Sequence, residues 1–145
     1  MSILPQLVFI DTNILVYAHA PNEGTKYDTA VAVLDKLWDE RTGVLSTQVL
    51  QEFYSVATRK LKPSMPPVEA RTLIAKYSTW CSMHTDPQLL VSASVLEENH
   101  QLQWWDALIV EAAMRSGAMT LLSEDMQHGR RFGLMTVRNP FAESN

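Results

Sequence analysis

One short run, LVFI at residues 7–10, is apolar at successive positions instead of alternate ones, and GVLS at 43–46 and AMTLLS at 118–123 read as further short strands. The pattern of the first suits a strand buried on both faces, as in a parallel sheet covered on either side. The segments between them carry helical spacing. KYDTAVAVLDKLWDER (26–41) repeats its apolar positions at Ala30, Val33, Leu34 and Leu37, with Gly43 as its expected stop. TQVLQEFYSVATRKLK (47–62) carries a stripe of Val49, Leu50, Phe53, Val56 and Ala57, with Thr47 as N-cap. Beyond the loop KPSMPP, Pro66 or Pro67 opens a helix through VEARTLIAKYSTWC (68–81). Asp86-Pro87 starts another over 88–100, and WWDALIVEAAMRSG (104–117) ends at Gly117. A short helix is expected at 14–19, an edge strand at 83–85, a turn or short helix at 124–129 and a last strand within 134–140. Short strands alternating with helices predict an α/β fold with a mainly parallel sheet.

The 145 residues, 46% of them hydrophobic, suit one domain spanning 1–145. The single cysteine, Cys81, leaves no internal disulfide, which fits a reducing cytoplasm. The first five residues lack a signal-peptide plan, and no apolar run is long enough to cross a bilayer. A net charge of −4 argues against a surface that binds nucleic acid everywhere, though not against a nucleic-acid enzyme with a metal in an acidic pocket.

Ligands of parallel sheets collect beyond the carboxyl ends of the strands. Asp11 directly follows the first run, and Asp125 follows the TLLS run by two residues. Asp106 lies at the start of a helix, and Glu52 lies mid-helix beside the Val49, Phe53 and Val56 stripe. Each has an ordinary alternative. Asp11 and Ser123 suit helix or turn caps, Asp106 suits the positive end of a helix dipole, and Glu52 can border the stripe and reach solvent. Together they point elsewhere. Carboxylates converging without cations repel one another, and a divalent ion relieves this. With no cysteine or histidine in the set, the donors are hard oxygens, suited to Mg²⁺ or Mn²⁺.

The pieces VFIDTNILVY, LQEFY, WWDALIVEAA and TLLSEDMQHG, in this order and spacing, resemble the PIN-domain ribonucleases, in particular the VapC toxins of toxin–antitoxin pairs. The resemblance covers nearly the whole chain. It implies a three-layer α/β/α sandwich with a short, mainly parallel central sheet. It also implies metal-dependent endonucleolytic cleavage of RNA. Carried over by position, Asp11, Glu52, Asp106 and Asp125 match the family's four acids, with Thr12, Asn13 and Ser123 as supporting polar residues. Asp11 and Asp106 are then the main metal ligands, with Glu52 and Asp125 completing the site. Glu124 is expected to face solvent. The resemblance further implies a small antitoxin partner and a homodimer.

Arg130 and Arg131, close to Asp125, are the candidate contacts to RNA phosphates, while Arg59, Lys60 and Lys62 suit the C-terminal dipole of their helix. His128 reads as a surface histidine. One of Trp104 and Trp105 could stack on an RNA base, but packing, in the core or in a subunit interface, is the favoured expectation. Three rivals remain on the sequence. A haloacid-dehalogenase-type phosphatase would use Asp11 as nucleophile, but wants a second Asp where Asn13 stands. A phospho-receiver domain wants a late lysine, and the chain has none after Lys76. A catalytically silent interaction module would have no need of all four acids.

Overall fold

A computed structural model describes residues 5–142; the N-terminal segment read above for a leader lies mostly outside these residues. Six strands form one sheet: β1 (Val8–Ile10), β2 (Gly43–Ser46), β3 (Cys81–Met83), β4 (Thr120–Leu122), β5 (Arg131–Phe132) and β6 (Met135–Arg138). Their order is β3-β2-β1-β4-β6-β5, with every neighbouring pair parallel except β5 with β6. The helices are α1 (Thr12–Tyr17), α2 (Thr25–Glu40), α3 (Thr47–Arg59), α4 (Pro67–Tyr77), α5 (Pro87–His100) and α6 (Trp104–Arg115).

Consecutive residues of the central strands are buried together, Phe9 with Ile10, Val44 with Leu45 and Leu121 with Leu122, so both faces of the sheet are covered. The chain moves outward from β1 through β2 to β3, then returns to β4 on the other side of β1. Right-handed crossovers therefore put α1–α4 on one face and the packed pair α5 and α6 on the other. This gives the three-layer sandwich expected from the sequence. The reversal of direction between β1 and β4 is the topological switch point, where ligands of such sheets bind.

Several boundaries differ from the sequence expectation. The cap of α3 is Ser46, whose hydroxyl accepts from the Val49 N–H at 3.5 Å, while Thr47 Oγ1 lies 3.0 Å from His84 Nδ1. Helix α2 stops at Arg41, which takes the left-handed conformation at φ 58°. Gly43 is not its stop. It lies in β2, where a Cβ would come within 2.8 Å of the Trp80 ring. Helix α4 ends at Tyr77 and gives way to a 3₁₀ turn at Ser78–Trp80. The edge strand is β3, two residues earlier than expected, whereas residues 124–129 take the turn of the expected turn or short helix. No described helix is long and apolar enough to cross a membrane.

Candidate active site

Strand β1 delivers Asp11 to the carboxyl edge of the sheet, and the residue caps α1 there. Its Oδ1 accepts from the Thr12 N–H at 2.7 Å and its Oδ2 from the Ser123 hydroxyl at 2.8 Å. Ser123 follows β4, is fully buried, and its Oγ also accepts from the Asp125 N–H at 3.1 Å. Asp11 thus serves as a cap, as its local sequence suggests, and is tied to the neighbouring strand as well.

Asn13 makes the second link between these strand ends. Its amide donates to Asp125 Oδ2 at 3.1 Å, and its carbonyl oxygen accepts from the Glu124 N–H at 3.2 Å. Thr12 donates its hydroxyl to Glu52 Oε1 at 2.7 Å. Glu52 therefore does not simply border its stripe and reach water; it is half-buried beside buried Phe53 and held from α1. The start of α3 meets the start of α6 through Gln48, whose amide donates to the Trp105 carbonyl at 3.3 Å. This brings Asp106, in the first turn of α6, to the same edge. Its carboxylate accepts no hydrogen bond among the described residues.

All four acids line one cleft of about 530 Å³. Burial pushes the Asp11 carboxyl up to about 7, against the hydrogen bonds from Ser123 and Thr12, and the charges of Glu52 and Asp125 push the same way. Asp106 is also raised, first by burial and then by Asp125 and Glu52. The cluster is short of positive charge, and its donors are oxygens of the kind Mg²⁺ and Mn²⁺ take. Among the described residues, no three His, Cys, Asp or Glu side chains stand close enough to enclose an ion. Mg²⁺ does not need such a cage: it is commonly held by one or two carboxylates with waters and substrate phosphates in the other positions. The residues present fit the ion.

Two expectations change. Glu124 does not face solvent: its Oε1 accepts from Lys26 Nζ at 2.9 Å and the Tyr17 hydroxyl at 3.2 Å, and its Oε2 is buried with no hydrogen-bond partner among the described residues. This clamp ties the Asp125 loop to α1 and α2, and sequence reasoning missed it because Lys26 and Glu124 are 98 positions apart. Trp105 does not pack in the core of this chain; it is 63% exposed on the cleft wall, while Trp104 packs against the core. Its place in the first turn of α6, next to Asp106 at the sheet edge, was the available signal. Lys60 also reaches the cleft wall.

The candidate phosphate contacts separate. Arg130 borders a recess shared with Asp106 and Asp125, donates to the His100 carbonyl at 2.7 Å and lies 4.8 Å over the Phe132 ring. Arg131 is exposed on β5, outside both spaces. His128 is at the surface and accepts from the Asn139 N–H at 2.9 Å.

No curated protein matches the sequence. Among solved structures, FitAB bound to an IR36 DNA fragment superposes with a TM-score of 0.67 at 18% identity, covering 93% of this chain and 96% of the other. VapBC2 from Rickettsia felis, bound to a DNA fragment from its promoter, gives 0.58 at 16% identity over 92% and 98%. VapC20 from Mycobacterium tuberculosis, a sarcin–ricin loop cleaving toxin, gives 0.58 at 18% identity over 79% and 86%. At these identities the likeness is one of fold. The PIN domain family model matches residues 8–131, which take in both strand ends, the two acid-bearing helices and the loop after β4. On that match, and on the fold that carries it, the chain belongs to the PIN domain family.

Proposed function

We propose that this protein is a Mg²⁺- or Mn²⁺-dependent endoribonuclease, the toxin of a type II toxin–antitoxin pair. The observation that carries this reading is the convergence of Asp11, Glu52, Asp106 and Asp125 on one cleft at the switch point of a PIN domain. Asp11 and Asp106 would hold the ion, with Glu52 and Asp125 completing its surroundings or serving a second one. When bound, the ion supplies positive charge to the phosphate's non-bridging oxygens and makes water easier to ionise. Glu52 takes a proton from the attacking water. Ser123 and Asn13 orient Asp11 and Asp125 through the bonds described above. Trp105 offers an exposed ring on which an RNA base can stack.

The phosphatase alternative loses further ground. Where that chemistry uses a free acid, Asn13 is engaged at both its donor and its acceptor. A catalytically silent module gives no reason to concentrate four acids at a raised energetic cost.

VapBC2 and FitAB, similar in fold, support a small antitoxin as partner. A basic side chain of that antitoxin entering the acidic cleft would neutralise it. The reading includes a homodimer in the cytoplasm. Mapping RNA ends after brief induction tests it: wild type should create new ends at defined sites, and Asp11→Asn should create none. Equal patterns from the two would overturn the assignment.

A further inference from the structure

A second recess of about 370 Å³ opens beside the acidic cleft and shares Asp106 and Asp125 with it. Its other polar walls are Gln101, Gln103, Gln127 and Arg130. The three glutamines are exposed, and their amides have no hydrogen-bond partner among the described residues. Gln103 stands at the N-cap of α6 and does not cap it with its side chain. Each amide offers paired donors and an acceptor, the set that matches the edge of a nucleobase.

The recess is held in shape. The loop after β4 is pinned by the Ser123 N–H to the Arg138 carbonyl, the Gly129 N–H to the Val137 carbonyl, and the Arg130 N–H to the Gln127 carbonyl. Arg130 is itself oriented by the His100 carbonyl and the Phe132 ring, with most of its five donors left over. Preorganised donors lose less entropy on binding. Two carboxylates at one end disfavour a bare phosphate there, whereas an uncharged base edge meets no such repulsion.

We propose that this recess is a nucleobase-recognition subsite, in which Gln101, Gln103, Gln127 and Arg130 read the base of the nucleotide next to the scissile bond. The inference rests on the RNA-cleaving reading above. It calls for an unpaired nucleotide, since only a splayed base exposes its edge to a recess of this kind.

Binding and cleavage test it separately. In the Asp11→Asn background, anisotropy with fluorescent single-stranded homopolymers of A, C, G and U should rank the four bases, with a spread on the order of fivefold or more. Gln103→Ala with Gln127→Ala, and separately Arg130→Ala, should shrink that spread to about twofold or less, with melting temperatures showing intact folds. Equal affinity for all four homopolymers, no binding to any, or a ranking that survives both substitutions would overturn the subsite. With the active protein, the sequence preference beside the cut should flatten in the same variants. Cleavage with unchanged preference would sink the subsite and leave the nuclease standing. Base-selective binding without cleavage in Mg²⁺ or Mn²⁺ would do the reverse.

Discussion

Asp11 carries the sharpest consequence at the scale of single residues. It titrates at about 7 in the folded protein, against 3.8 ordinarily. Between these values the folded chain holds a proton that the unfolded chain has released. Stability of the metal-free protein therefore falls as pH rises through this window, by a total on the order of 4 kcal/mol; the penalty is absent below it and complete above. In EDTA, the melting temperature should drop between about pH 4 and about pH 7, and Asp11→Asn should remove most of the drop. An unchanged slope in the variant would assign the titration to another group. Mg²⁺ should raise the melting temperature more at the upper end of that range, because binding requires the ionised carboxylates. Asn13→Ala removes the two links that Asn13 itself makes to the Asp125 loop and leaves the Tyr17–Glu124 contact in place. It should cost about 1–2 kcal/mol in a denaturant titration and lower kcat more than it raises KM.

At the scale of elements, β2 packs so closely on the 3₁₀ turn after α4 that no side chain fits at Gly43. Trp80 cannot retreat easily, since its ring stacks on Trp38 at 4.0 Å. Gly43→Ala should cost about 1–3 kcal/mol, read as a lower urea midpoint with an unchanged slope. This position also illustrates what the sequence could and could not carry. A glycine after a helical pattern reads as a helix stop, and nothing local reveals the tryptophan 37 positions later. The parallel strands and the helices were legible because each is a run of periodic or fully apolar residues. Strand β5 was not, because two residues paired in an edge hairpin leave no period to read. Caps slipped by one residue, from Thr47 to Ser46, where two adjacent hydroxyls compete for one role.

For the whole molecule, the topology explains why acids spread from position 11 to position 125 share one cleft. The order β3-β2-β1-β4-β6-β5 sets β1 beside β4, and the two helix layers bring Glu52 and Asp106 over the same edge. That the four acids belong together followed from a family resemblance plus the strand-end rule. The supporting pairs, Thr12 with Glu52, Asn13 with Asp125 and Ser123 with Asp11, needed coordinates, as they bridge 40 to 112 positions. The central claim is that these acids make a metal-dependent ribonuclease site. The most direct measurement is cleavage of single-stranded RNA by purified wild type and Asp11→Asn, with Mn²⁺ and with EDTA. Wild type should cleave in Mn²⁺ and not in EDTA, and Asp11→Asn should cleave under neither condition. Cleavage that persists in EDTA, or in Asp11→Asn with Mn²⁺, would contradict it.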